Sequence, residues 1–409
     1  MEGKNRNKGR WFSFAFIIFK KTNEMDIRHY FDEVNFSHFS ELNATGWKYS
    51  MGAAIEKNTK KFTAEKFPKL ELAIFGVSFD SRKDETYSDE SSEKIRKELY
   101  YLAKPEIKIN IVDFGNLKNS KSIKGFYKAL RDIVEYFNEL NIPVAVIGGS
   151  QDLDYGICDA FKTDKLFTYS TIDAFLDVKK GKEPFTAKNY LSRVFASNPD
   201  IFQFNLIGYQ SYYVASDILK KTKGINDHIR LGQLREDITC AEPVLRNTDF
   251  LSFDIGAIKY SDVAGGNPFH PNGLRSEEAC QLAKYAGLSE RLKIFGLFNI
   301  DHERDKYGLT VSLSAQIIWY FIDGISNRNK LKVSFKENRI IYQIDVKEVG
   351  SPLVFIKNEL TNQWWMQIRS FNNEFVLFAC SENEYMQASN NDIPERWLRY
   401  IQKIDGYLK

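Results

Sequence analysis

The run IPVAVIGGSQDLDYG, residues 142–156, decides how this 409-residue chain folds. Its first six residues are apolar throughout, Gly148 and Gly149 stop the run, and Ser150, Gln151 and Asp152 follow. A short segment that is apolar on both faces reads as a strand buried on both sides, the habit of a parallel sheet covered by helices. In open parallel sheets ligands bind beyond the carboxyl ends of the strands. Gln151 and Asp152 therefore stand where a site would open.

Similar runs recur on either side. KLELAIFGVSF (69–79), KINIVDFG (108–115), LFTYSTIDAF (166–175), IFQFNLIGY (201–209), FLSFDIGAI (250–258) and LKIFGLFNI (292–300) read as strands. Between them, residues 91–103, 122–141, 211–222, 275–288 and 313–326 carry apolar side chains at helical spacing. Strands alternating with helices predict an α/β fold, a three-layer α/β/α sandwich on a parallel central sheet. After residue 330 the texture changes. KVSFKENRIIYQIDV (332–346), SPLVFIKN (351–358) and WWMQIRS (364–370) read as short strands, and DIPERWLRYIQKI (392–404) as a closing helix whose first turn suits Pro394. The expected organisation is a disordered extension over 1–24, an α/β domain over 25–328, and an appendage over 329–409 packed on it.

Composition bounds the function. Apolar residues make up 43% and charged residues 27% of the chain, as in soluble globular proteins. The 57 basic and 54 acidic residues leave a net charge of +3, which gives no electrostatic case for nucleic acid or an anionic membrane. The apolar run WFSFAFIIF (11–19) is far shorter than the ~20 residues a spanning helix needs. Cys158, Cys240, Cys280 and Cys380 are widely spaced, with no CxxC pair, and suit a reducing cytoplasm.

The strand ends hold the chemistry-bearing residues. DAFLD places Asp173, Phe175 and Asp177 at alternate positions, which share a face in an extended segment. FLSFDIG places Asp254 at a strand end, with Gly256 two residues on. Three carboxylates on two strand ends could hold a divalent cation, or they could cap the turns that follow.

Together these segments resemble the ureohydrolase superfamily of arginase, agmatinase and formimidoylglutamase, most clearly over 140–328. The matching stretches are GGSQD, DAFLD, SFDIGAIKYSDVAGGNPFHPNGL, FNIDHERD and LSAQIIWYFIDGI. The resemblance implies an arginase-like fold, a homo-oligomer, and hydrolysis of a guanidino or formimino group by a hydroxide bridging two manganese ions. The ligand pattern departs from the family. Asp173, Asp177 and Asp254 stand at ligand positions, but Gln151 and Phe175 replace histidines and Gly256 replaces a carboxylate. Asn299 stands where the family's glutamate holds the cationic substrate group; Asp301 and His302 replace Asn-Pro, and Asp305 matches.

What remains suits at most one hard cation, Mn²⁺ or Mg²⁺, on Gln151, Asp173, Asp177 and Asp254. Phenylalanine and glycine side chains offer no lone pairs, so a two-manganese centre is not expected. The sequence therefore predicts a ureohydrolase-like protein without two-metal hydrolysis, in a binding or scaffold role. The alternative is a divergent metal-dependent hydrolase of linear amidines. Asn299 and His270 are the candidate substrate contacts. NQWWMQIRSF (362–371) suggests a protein partner for the appendage, because Trp and Arg are enriched in interface hot spots.

Overall fold

The computed structural model describes residues 26–34, 47–59, 69–83, 89–120, 122–179, 181–223, 227–266, 270–347, 349–370 and 374–407. The extension expected over 1–24 lies outside them. Ten strands form the main sheet: β1 (Phe31–Asp32), β2 (Glu56–Lys57), β3 (Leu72–Val77), β4 (Ile111–Leu117), β5 (Val144–Ile147), β6 (Thr168–Ile172), β7 (Gln203–Tyr209), β8 (Asp227–Arg230), β9 (Phe250–Asp254) and β10 (Ile294–Phe298). Their order is β1-β4-β3-β5-β10-β9-β6-β7-β8, with β2 also on β4. Only β1 runs antiparallel to its neighbour.

Alternation along the strands builds the three layers. Leu72, Ile74, Ala145, Ile147, Leu251 and Phe253 join one core with the helices Ser276–Leu288 and Leu309–Glu337. Ala73, Phe75, Val144, Val146 and Phe250 join the opposite core with Ile123–Glu139 and Tyr190–Ser197. Within the first helix pair, Leu309–Asn329 is long and apolar enough to cross a membrane, but 67% of that window is buried inside the protein. Its apolarity is that of a core helix.

The chain leaves β5, crosses over and returns at β6, leaving room for β10 and β9 between them. Such a change of direction opens a crevice at the carboxyl ends of the strands. The four strands that carry the motifs, β5, β10, β9 and β6, are thus consecutive neighbours. Ile172 pairs with Phe253 and Asp254 with Phe298, so Asp173 and Asp254 emerge at the same level.

Several local expectations are corrected. The helix read over 313–326 runs from Leu309 to Glu337, so the beginning of the stretch read as strand from 332 is helical. Nothing between Ile325 and Glu337 is Gly or Pro, and the helix propagates until β11 (Arg339–Ile344) begins. The helix read over 211–222 covers only Ser216–Lys223. Strand β6 ends at Ile172, so Asp173, Phe175 and Asp177 do not continue it.

The appendage is a four-stranded antiparallel sheet, β11, β12 (Leu353–Asn358), β13 (Trp364–Arg369) and β14 (Phe375–Cys380), followed by helices Glu382–Ser389 and Glu395–Tyr407. It packs on the main domain through a third core that includes Phe202, Phe355, Trp364, Phe378 and Tyr400. Asn247 fixes the seam: its Nδ2 donates to the Ala379 carbonyl at 2.9 Å and its Oδ1 accepts the Ala379 N–H at 2.8 Å. Trp364 is only 3% exposed, and Trp365 lies against the Arg246 guanidinium at 4.3 Å. Both tryptophans therefore make intramolecular contacts.

Candidate functional site

The glycine turn comes first. Gly148 and Gly149 have φ of 85° and 77°, and a Cβ on Gly149 would meet the Phe79 carbonyl at 2.7 Å. Only glycine is at ease there. The turn delivers Gln151, 1% exposed, between β6 and β9. Its Nε2 donates to Thr171 Oγ1 at 3.0 Å and Ser252 Oγ at 3.1 Å, while Oε1 has no hydrogen-bond partner. The two hydroxyls can accept from nitrogen or donate to oxygen, so in either orientation one end of the amide is left over.

Asp173 and Asp254 each fold back on the turn that follows. The Phe175 N–H donates to Asp173 Oδ1 at 2.9 Å, and the Gly256 N–H to Asp254 Oδ1 at 2.7 Å. The turn-capping alternative is thus realised on one oxygen of each carboxylate. The second oxygen of Asp173 is buried without a partner. Burial, then the neighbouring Asp177 and Asp254, push the Asp173 carboxyl well above its usual range. Burial and Asp254 do the same to Asp177, opposed by Lys188. Burial lifts Asp254 to about 6, against the Gly256 N–H, the Asn299 side chain and Arg82, which all favour its charge. The three carboxylates thus interact across two strand ends. Among the described residues, however, no three His, Cys, Asp or Glu side chains are grouped to hold a metal ion.

On the other side the site is aromatic. The turn after Asp173 sends Phe175 away from the carboxylates onto Tyr213, ring centroids 4.5 Å apart and stacked, and onto His270 at 5.2 Å. His270 is 3% exposed, its Nδ1 lies 3.0 Å from the Tyr213 hydroxyl, and its Nε2 has no partner. Burial lowers its pKa and favours neutral imidazole. Asn267–Phe269, in the same loop, lie outside the described residues.

Asn299 acts as a strut. It sits at φ 65°, its N–H donates to the Gly149 carbonyl at 2.9 Å, and its Oδ1 accepts the Gln151 N–H at 3.1 Å. The loop after it is tied down as well. His302 Nδ1 lies 3.2 Å from Asp89 Oδ1, with both side chains buried, and the Gly149 N–H donates to Asp89 Oδ2 at 3.2 Å. Asp305 Oδ2 accepts the Val311 N–H at 2.9 Å in the first turn of the following helix.

Sequence reading missed Arg82, Tyr213 and Lys188. Arg82 follows β3, and the strand-end rule that led to Gln151 would have found it. Arg82 and Lys188 line a cavity of about 490 Å³ together with Asp152, Tyr155 and Arg193. All four cysteines are free. Burial pushes the Cys158 thiol far up, which suits packing and not nucleophilic work.

The donor set can be tested against the family's metals. Gln151 Oε1 and Asp173 Oδ2 are buried oxygens without partners, and such atoms suit one hard cation. The second position fits no metal, because Phe175 and Gly256 supply no donor atom and the Phe175 ring is stacked on Tyr213.

A sequence model of the arginase family matches residues 70–323. The solved structures with this fold include Trypanosoma cruzi formiminoglutamase with Mn²⁺, at 16% identity and a TM-score of 0.58, covering 65% of this chain and 97% of that one. Formimidoylglutamase from Bacillus subtilis is similar at 16% identity and a TM-score of 0.58, with coverage of 68% and 92%. Agmatine ureohydrolase of Thermoplasma volcanium is similar at 16% identity and a TM-score of 0.56, with coverage of 73% and 99%. No curated protein sequence matches the chain. Identities this low speak for the fold alone, but the matched sequence model spans most of the α/β domain, and the chain belongs to the arginase family.

Proposed function

We propose that this arginase-family chain has lost two-manganese hydrolysis and works as a ligand-binding or scaffold subunit. The Phe175 ring carries this reading: where the family places a histidine ligand, this chain places a side chain without donor atoms and builds it into a stack with Tyr213 and His270. Gly256, where the family places a carboxylate, removes a second ligand. Without the second ion no hydroxide is shared between two metals, and such a pair is what activates water in two-metal sites. The test is metal content per chain together with hydrolysis of arginine, agmatine and N-formimino-glutamate. Purified protein without two manganese ions and without turnover is expected. Two ions per chain with turnover of any of the three would sink the idea.

A second reading has its own observation. The unpartnered oxygens of Gln151 and Asp173 favour a single divalent cation, Mn²⁺ or Mg²⁺, held with Asp177 and Asp254. A cation bound there would act as a Lewis acid on a linear amidine C–N bond. Around it, the Asn299 strut and the Gly149 turn would keep Gln151 in place, and His270 would offer Nε2 at the rim. Asp173→Ala that abolishes both cation uptake and a hydrolytic activity supports this alternative, and unchanged values of both refute it. Either reading goes with a homo-oligomer, a cytoplasmic location and a protein partner for the appendage. Sedimentation of the purified chain tests the first of these.

A further inference from the structure

The carboxylates at the strand ends need positive charge, and the loop after β3 brings it in. The Ser81 N–H donates to Ser150 Oγ at 2.9 Å and the Ser81 hydroxyl to Asp152 Oδ1 at 2.6 Å, so this loop is sewn to the turn that carries Gln151. The next residue, Arg82, forms a two-point pair with Asp80: Nε to Oδ1 at 2.8 Å and Nη2 to Oδ2 at 2.6 Å. The pair is sheltered, with side chains 17% and 3% exposed. One such pair would be self-sufficient, yet Arg82 also borders the 490 Å³ cavity beside the site and acts on Asp254 and Asp89. Asp254 in turn is pulled down by Arg82. Three carboxylates share this guanidinium, with His302 as the further partner of Asp89. A guanidinium keeps its charge at any pH the protein meets, which a lysine or histidine in a buried place does not.

We propose that Arg82 is a built-in cation that replaces metal charge beside Asp254 and makes the site reject a second divalent ion. The inference rests on the reading that the two-metal centre is lost. It states what fills the electrostatic gap: a fixed guanidinium repels an incoming dication across a low-dielectric pocket. Missing ligands alone would leave a site that reaccepts metal once the ligands are restored. A fixed counter-charge leaves one that does not.

The experiment restores the ligands with and without the guanidinium. Phe175→His/Gly256→Asp is made in the full chain, alone and combined with Asp80→Asn/Arg82→Met, which removes both ends of the ion pair and leaves no orphan aspartate. Manganese per chain is counted by elemental analysis, and Mn²⁺ affinity is followed by electron paramagnetic resonance. Restoring the ligands with Arg82 in place should add no ion. Removing the Arg82 pair as well should raise the count by one and tighten Mn²⁺ binding by on the order of tenfold. Arg82→Lys in the restored background, which keeps a cation, should behave as Arg82 does. If the fourfold variant does not fold, Arg82→Gln in the same background is counted instead. An extra ion gained with Arg82 present, or affinity within twofold after its removal, overturns the proposal. A wild-type chain that carries two manganese ions overturns both this inference and the functional reading. A wild-type chain that hydrolyses a substrate with one ion overturns the functional reading only.

Discussion

At the seam between β8 and the closing helix, Asp227 meets Arg396 and Arg399, whereas at the ends of β6 and β9 the acids Asp173, Asp177 and Asp254 meet chiefly one another. Both clusters are sheltered from solvent. At the seam, burial would push the Asp227 carboxyl up, but the two guanidinium groups more than offset it and hold it low. Glu384 completes that network, 3.2 Å from Arg396. At the strand ends burial wins, and the carboxylates are pushed up. The difference separates a weld from a site. Matched charge fastens one element to another, and unmatched charge persists where a ligand once compensated it or still does.

The largest effect should come from breaking the weld. Arg396→Ala leaves Asp227 and Glu384 short of a partner in a sheltered place and should cost about 3–5 kcal/mol in urea unfolding. A loss below ~1 kcal/mol would put the seam's strength in the apolar packing around Trp364 and Tyr400 instead.

Proton linkage should show the two behaviours in opposite directions. Asp227 has a lowered folded pKa, so its stabilisation is present above its unfolded value near 3.9 and is lost as pH falls through the folded one. Asp154, wholly buried beneath the Gln151 turn with the Tyr169 hydroxyl donating to it, is lifted by burial to about 8. Its folded form holds a proton that the unfolded chain has released. Its contribution is therefore full below pH ~4 and disappears as pH rises through about 8, with a slope of up to ~1.4 kcal/mol per pH unit. Asp154→Asn should flatten that alkaline decline, and an unchanged slope would show that another group sets it.

A smaller effect tests the neutral part of the seam. Asn247→Ala removes both bonds to Ala379 and should cost about 1–2 kcal/mol, with faster hydrogen exchange at the Ala379 amide. The smallest effect has the opposite sign. In protein stripped of metal, Asp173→Asn relieves repulsion among the raised carboxylates and should stabilise the fold by about 1 kcal/mol at pH 8. A destabilisation of similar size would show that the charge on Asp173 serves a bound cation.

Much of the strand-end geometry was legible. Gly148-Gly149, Asp173, Asp254 and Asn299 were read as strand-end residues, and the sheet brings their strands together as neighbours. The shared face of Asp173, Phe175 and Asp177 was a false inference. The strand stops at Ile172, and an Asp173 turn then rotates Phe175 onto Tyr213 and His270. Local alternation cannot report where a side-chain hydrogen bond ends a strand. Strands β8 and β14 and the helix Glu382–Ser389 were missed because their patterns are short, and partners far along the chain stabilise them.

By itself the sequence determined the layer architecture, because wholly apolar strands alternating with helices have few other ways to bury their surface. It also determined which family ligands this chain lacks, since donor atoms are a property of residue type. The tertiary structure decided the rest. It set which strands became neighbours, placed Arg82 beside Asp254 across the ends of different strands, and turned the appendage's tryptophans inward. Charge matching and packing between distant segments depend on distances in space, and no local pattern encodes them.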